Sequence, residues 1–345
     1  MRELTFREAL NEALDEELTR DKDVFLMGEE VGAYNGAYKV SRGLLDKHGP
    51  KRVIDSPISE LGFVGLGVGA AMMGLRPVIE VMTWNFALLA LDQIANTAAK
   101  MLYMSGGALS CPITIRGPNG AAHSLAAQHS QWFESQYAYY PGLKVIVPGT
   151  PADAKGLLKS AIRDPDRCIG VPPASAPTAG PAASLAGPPV RPTTRAWKGM
   201  VPDGEYTIPI GKADIKREGK DCTIVAWGRA LKIALDGAEK LAAEGIDCEV
   251  VDPRTIRPLD EETIVQSVRK TGACVVLEEG WPYFNAGAQI SDTVQRACFD
   301  VLDSPVIRVT GADVPMPYAR PLEDLARPNP DSVVNGVKVA LNVRT

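Results

Sequence analysis

Apolar residues recur along the chain with two periods, and the alternation between the two periods indicates the fold. Thr5 and Glu8 have the spacing of a capping box, and Phe6, Leu10, Ala13 and Leu14 fall on one face of the helix this predicts. Short β-branched runs then alternate with helix-length stretches: strands at 24–27, 77–82, 112–115 and 144–147, helices at 61–73 and 88–104. Strands separated by helix-length segments imply a parallel sheet with helices on both faces. The same rhythm restarts with a strand at 222–227 and continues through 230–243, 247–251, 261–269, 273–277 and 305–309, a second α/β domain.

Between the two lies a stretch of different character. Seven prolines fall between Pro172 and Pro192, and no acidic residue occurs from Arg167 to Pro202. Proline lacks the backbone donor that a helix or a central strand needs, so this stretch reads as an extended or disordered linker. The expected division is 1–169, a linker at 170–204, and 205–345. A length of 345 residues suits two domains.

Composition removes several function classes. A net charge of −5 offers no basic field for nucleic-acid phosphates. No apolar run is long enough to span a bilayer, and the first residues read as neither a signal nor a transit peptide. The cysteines (Cys111, Cys168, Cys222, Cys248, Cys274, Cys298) are scattered without a C-x-x-C pair, as expected of reduced thiols in a cytosol. His48, His123 and His129 are the only histidines, too few for a histidine-rich metal centre.

Candidate chemistry begins at Glu60, a carboxylate opening a glycine-rich helix. Alone it could simply complement the helix dipole. Gly62, Gly65 and Gly69 lie on one helical face and would permit close approach of a partner helix, here from another subunit. The run from Gly65 to Ala70 matches the short G-x-G-x-x-A dinucleotide pattern, but it sits inside a helix with no strand before it, which argues against NAD binding. Arg116-Gly117-Pro118-Asn119-Gly120 is a turn cluster after a strand, and His123 and His129 follow it, where open α/β sheets place ligand sites.

The order of segments is similar, over nearly the whole chain, to the beta-subunit family of the pyruvate dehydrogenase first component, a group of thiamine-diphosphate-dependent 2-oxoacid dehydrogenases. The blocks that carry the resemblance are Phe25-Leu26-Met27-Gly28-Glu29-Glu30, the stretch from Ser56 to Gly62, Thr83-Trp84-Asn85-Phe86, Tyr103-Met104-Ser105-Gly106-Gly107, Arg116 to Gly120, Gln128-His129-Ser130-Gln131, Pro141 to Val145, Ala154 to Arg163, Asp252 to Asp260, and Thr310 to Tyr318. The resemblance implies an α/β fold of two domains, an N-terminal pyrimidine-binding domain and a C-terminal transketolase-type domain. It implies that Glu60 hydrogen-bonds the coenzyme's aminopyrimidine ring, that Phe86 packs beside that ring, and that His129 acts near the bound intermediate or the incoming lipoyl group. A potassium site would fall on Ile113, Ala161, Ile162, Asp164 and Asp166, largely through backbone carbonyls, oxygen ligands suited to a hard cation. Asp166 stands where the family commonly has Asn.

One departure qualifies the resemblance, and one absence extends it. Where the family continues from Asp164-Pro165-Asp166 into an apolar strand, this chain has Arg167-Cys168-Ile169-Gly170 and then the Pro/Ala segment, so the strand is expected to be missing or the segment mistranslated. The Gly-Asp-Gly that opens the family's magnesium site occurs nowhere in the chain. The resemblance therefore implies an alpha subunit that holds magnesium and the diphosphate, an alpha2-beta2 assembly, and a dihydrolipoyl transacetylase core whose lipoyl domain receives the acetyl group for acetyl-CoA synthesis. The compartment would be bacterial cytoplasm, or mitochondrial matrix for a mature eukaryotic chain. Branched-chain 2-oxoacid and acetoin dehydrogenase beta subunits, and a non-catalytic assembly subunit, remain as alternatives.

Overall fold

The computed structural model describes residues 1–166, 168–170 and 198–343. The N-terminal part runs β1 (Arg2–Thr5), α1 (Phe6–Arg20), β2 (Val24–Gly28), α2 (Leu44–His48), β3 (Val53–Asp55), α3 (Glu60–Met72), β4 (Arg76–Glu80), α4 (Trp84–Ala87), α5 (Met101–Met104), β5 (Thr114–Arg116), α6 (Glu134–Ala138), β6 (Lys144–Ile146), α7 (Pro151–Arg163) and β7 (Cys168–Gly170). The C-terminal part runs β8 (Lys198–Val201), β9 (Asp214–Arg217), β10 (Cys222–Ala226), α8 (Ala230–Ala243), β11 (Cys248–Asp252), β12 (Thr255–Arg257), α9 (Glu261–Thr271), β13 (Cys274–Leu277), α10 (Ala286–Cys298), β14 (Ile307–Val309), α11 (Arg320–Ala326) and α12 (Pro330–Ala340).

Two mixed sheets follow. The first has the order β12-β6-β7-β5-β4-β2-β3 and is parallel except for β12. The second has the order β14-β13-β10-β11-β9, parallel except for β9 at its edge. A separate ribbon pairs β1 with β8. Central strands such as β10 and β11 are buried at every position because helices cover both faces. The capping box at α1 forms as expected, with the Thr5 backbone N–H donating to Glu8 Oε2 at 2.8 Å and the Glu8 N–H to Thr5 Oγ1 at 3.2 Å.

The two domains are fused more closely than the sequence suggests. β12, from the C-terminal part, pairs antiparallel with β6 and forms the edge of the first sheet. One continuous apolar core contains Phe63, Trp84 and Tyr137 from the first domain together with Val225, Trp227 and Ile264 from the second.

Three expectations need correction. The predicted helix at 88–104 is broken into a 3₁₀ turn (Leu88–Ala90), a π-helical stretch (Gln93–Ala98) and α5, because apolar spacing continues across a π-turn and does not report the extra residue. The strand expected to be missing after Asp166 is present as β7, seated between β5 and β6. The linker expected at 170–204 is ordered at both ends, since Gly170 closes β7 and β8 pairs with β1; its interior, 171–197, lies outside the described residues. Of the α3 glycines, Gly67 makes the close approach. A Cβ there would lie 2.6 Å from Ile79 Cδ1 of β4, while Gly62 and Gly69 are exposed.

Candidate functional site

Parallel sheets place their ligand loops at the carboxyl ends of the strands. The loops after β2, β4 and β5 carry Glu29, Thr83 to Phe86, and Gly117 to His129. The turn after β3 leads into α3, whose first residue is Glu60.

Glu60 is only 5% exposed although it opens a helix, and it lies close to another carboxyl, Glu29. The loop bearing Glu29 is held from below: Asp55 accepts backbone N–H bonds from Gly32 at 2.5 Å and Ala33 at 2.9 Å, and Gly36 N–H reaches Glu30 O at 2.7 Å. Burial first, and then the Glu60 carboxyl within hydrogen-bonding reach, push the Glu29 pKa up to about 7. Two carboxyls sharing a buried site resist double ionisation, so Glu29 stays partly protonated near neutrality. Glu29 Oε1 is buried and has no hydrogen-bond partner among the described residues, an acceptor left for a ligand or water.

The sign of the linkage follows from that shift. A carboxyl whose pKa rises on folding contributes stability below its unfolded value of about 4.5, and loses it as pH climbs through about 7. Stability should therefore fall over this window by at most about 1.4 kcal/mol per pH unit from this one proton. In Glu29→Gln the fall should flatten, as read by urea unfolding at pH 5, 6, 7 and 8; an unchanged slope would mean Glu29 does not hold the proton.

Phe86 and His129 form the second pair. Thr83 caps α4 by accepting the Asn85 N–H at 3.1 Å, which fixes the turn carrying Phe86. The Phe86 and His129 rings meet edge to face, centroids 5.3 Å apart and planes at 88°. His129 ends a 3₁₀ turn in a loop closed at its base by Gly120 N–H to Gln131 O at 2.8 Å and Phe133 N–H to Asn119 Oδ1 at 3.0 Å. Asn119 Nδ2 in turn donates to the buried Glu134 carboxyl at 2.6 Å, which also accepts from Trp227 Nε1 at 3.3 Å. His123, Ser124 and Ala126 have φ of 45°, 59° and 63°. Left-handed backbone at a non-glycine residue costs roughly 1–2 kcal/mol, so three in four positions mark a strained loop. His123 is exposed on that loop, and it is His129 that the fold brings to Phe86.

Beneath these loops Arg116 and Glu80, at the ends of β5 and β4, form a buried ion pair. Burial pushes the Glu80 pKa up, and the Arg116 charge opposes it.

The candidate potassium ligands come from the end of α7, the residues after it, and the residue before β5. Ala161 and Ile162 end α7, Asp164 caps it, and Asp166 follows; Thr114, next to Ile113, pairs in register with Cys168. Helix carbonyls at a C-terminus suit a cation. Arg76 Nη1 already donates to Ile162 O at 3.0 Å and Asp164 O at 3.3 Å, and Lys144 Nζ to both Asp164 carboxylate oxygens at 2.7 Å. Each carbonyl keeps a second lone pair, although two cationic side chains already lie on this oxygen set. Among the described residues no group of three or more His, Cys, Asp or Glu side chains could hold a metal, and no helix is long and apolar enough to cross a membrane.

Sequence reasoning missed Glu29 as a site residue, although an acidic doublet directly after an apolar strand was a usable signal. It also missed an aromatic cleft of about 320 Å³ lined by Trp132, Tyr139, Tyr140, Trp281, Tyr283 and Phe284, which does not include Glu60, Phe86 or His129.

Comparison with known proteins gives the family and the fold. Residues 2–171 match the family described as transketolase, pyrimidine binding domain, and residues 211–333 match transketolase, C-terminal domain. The chain is 52% identical over 339 residues to the pyruvate dehydrogenase E1 component subunit beta-2, mitochondrial, of Oryza sativa subsp. japonica, covering 98% of this chain and 86% of the relative. It is 50% identical to the pyruvate dehydrogenase E1 component subunit beta of Rhizobium meliloti (strain 1021), covering 98% and 70%. The mitochondrial subunit beta of Bos taurus is also 50% identical, covering 99% and 91%. A solved structure described as a split gene transketolase, inactive beta4 tetramer, superposes with a TM-score of 0.74 over 99% of both chains at 23% identity, a likeness of fold.

Proposed function

The chain belongs to the family of pyruvate dehydrogenase E1 component beta subunits, and from that membership we propose that it is the pyrimidine-side half of a thiamine-diphosphate enzyme that decarboxylates pyruvate and passes on the acetyl group. The observation that carries this reading is the buried Glu29–Glu60 carboxyl pair, beside loops that present Phe86 and His129.

Bound thiamine diphosphate supplies the carbon nucleophile and the electron sink that decarboxylation of a 2-oxoacid needs. The role of this chain is to hold the pyrimidine end and manage protons. Glu60 hydrogen-bonds a ring nitrogen and shares a proton with it. Glu29 keeps that proton available by making full ionisation of the pair unfavourable. Phe86 offers a flat apolar face to the ring, and His129, fixed against Phe86, exchanges a proton with the acyl group or its lipoyl acceptor.

In this reading residues 1–169 form the pyrimidine-binding domain and 205–345 the transketolase-type C-terminal domain. An alpha subunit holds magnesium and the diphosphate, and a dihydrolipoyl transacetylase presents the lipoyl group. Ile113, Ala161, Ile162, Asp164 and Asp166 take potassium. Cys222, Cys248, Cys274 and Cys298 are buried thiols outside any disulfide among the described residues, which suits a reducing compartment such as bacterial cytoplasm or mitochondrial matrix.

The test is reconstitution with a matching alpha subunit, thiamine diphosphate and magnesium, measuring turnover of pyruvate and of branched-chain 2-oxoacids, and the thermal unfolding midpoint of the complex, with either potassium or sodium as monovalent cation. Pyruvate should be the preferred substrate, and potassium should support the higher stability. Preference for a branched-chain acid would move the chain to a sister activity, and equal stability in both salts would remove the potassium site.

A further inference from the structure

The loop that carries His129 is held at two places. Its base is closed by Asn119 and Glu134. Its strained part is held across the domain junction: the Ser124 backbone N–H donates to Glu323 Oε2 at 2.7 Å, from α11 of the C-terminal domain. Ser124 lies between His123 and Ala126, the other left-handed residues, so the bond falls on the part of the loop that is least able to hold its own conformation.

Glu323 is only 1% exposed, and its surroundings suit an anchor. Arg327, the residue that caps the C-terminus of α11, places Nη1 3.9 Å from Glu323 Oε1 and also pairs with Asp324. The C-terminal end of α11 is tied down, since Ala312 N–H donates to Ala326 O at 2.9 Å. A hydrogen bond from a backbone amide to a buried carboxylate is stronger than one between neutral groups, and is the kind of contact that maintains a strained backbone.

We propose that Glu323 is a positioning residue: by clamping Ser124 from the second domain it holds the 120–131 loop in the conformation that sets His129 against Phe86. Glu323 does not touch the reacting groups; it acts through His129. The inference rests on the proposed role of His129 in acyl transfer and adds that the C-terminal domain controls it. The same side chain makes docking of the two domains a condition for a competent His129.

The experiment uses the complex of this chain with its alpha subunit, as wild type, Glu323→Ala and Glu323→Gln. Amide hydrogen exchange is followed on peptides covering 120–131 and, as a reference, on α3 and β2. Acyl transfer to lipoamide is compared with decarboxylation coupled to ferricyanide. In Glu323→Ala, exchange within 122–130 should rise by roughly tenfold or more while the reference peptides stay unchanged, and kcat for transfer to lipoamide should fall by a similar factor, with KM for the 2-oxoacid within about threefold. Glu323→Gln keeps an oxygen that accepts from Ser124 and should restore most of both. Unchanged exchange in the loop, an equal rise throughout the chain, or a Gln variant as impaired as Ala would overturn the clamp. If the wild-type complex turned over no 2-oxoacid, the functional reading would fail, and the exchange comparison would still decide whether Glu323 holds the loop.

Discussion

Replacing Glu60 with Gln should lower 2-oxoacid turnover of the reconstituted complex by about a hundred- to ten-thousandfold, the range for loss of a positioned acid–base group. The substitution keeps size and polarity, so coenzyme should still bind, but the amide cannot exchange the proton. A carboxylate that only complements the dipole of α3 would contribute about 0.3–1 kcal/mol, no more than roughly fivefold. The two roles therefore separate by magnitude. Turnover and hydrogen–deuterium exchange at the thiazolium carbon should fall together while the fold persists. Removing the charge at position 60 also removes the like-charge neighbour of Glu29, so the Glu29 pKa should drop from about 7 in the same variant, read by carboxyl chemical shift. Rates within a fewfold of wild type would reduce Glu60 to a helix-start residue.

The second large effect concerns partnership. Purified alone, the chain should decarboxylate no pyruvate at any coenzyme or magnesium concentration, and activity should appear only when the alpha subunit is added. Gly-Asp-Gly is absent from the whole sequence, and the described residues contain no acidic cluster able to hold the divalent ion that would carry a diphosphate. In the proposed reading the buried Glu29–Glu60 pair addresses only the pyrimidine end. Around it α3 exposes Leu61, Leu66 and the glycines Gly62 and Gly69, with Leu89 nearby in sequence, a surface suited to burial against another protein chain. Coenzyme-dependent carbon dioxide release by the isolated chain would show that this chain holds the whole cofactor.

Much of this could be read from residues. The Thr5–Glu8 box and the apolar face behind it gave α1, and the helix at 230–243 has the predicted bounds. Glu60, Phe86 and His129 came from motif resemblance, but their grouping did not: 43 positions separate Phe86 from His129, and only the sheet brings their loops together. In the doublet Glu29-Glu30 the first residue is buried and the second is exposed with φ 59°, a difference of loop geometry that no local pattern reports. β12 escaped notice because it is three residues long, is followed by Pro258, and pairs with a strand more than a hundred positions earlier. The Glu323–Ser124 bond spans 199 positions and leaves no trace in either segment.

That three-residue strand has a consequence for dissecting the protein. Cutting the chain between its two halves would expose the free side of β6, with unpaired backbone donors and acceptors flanked by the apolar Val145 and Ile146. An isolated first half would thus present an adhesive edge to its own copies, while the second half would carry a dangling segment with nothing to join. Each half protects the other from aggregation, so a single uninterrupted gene product is the safer way to produce this fold.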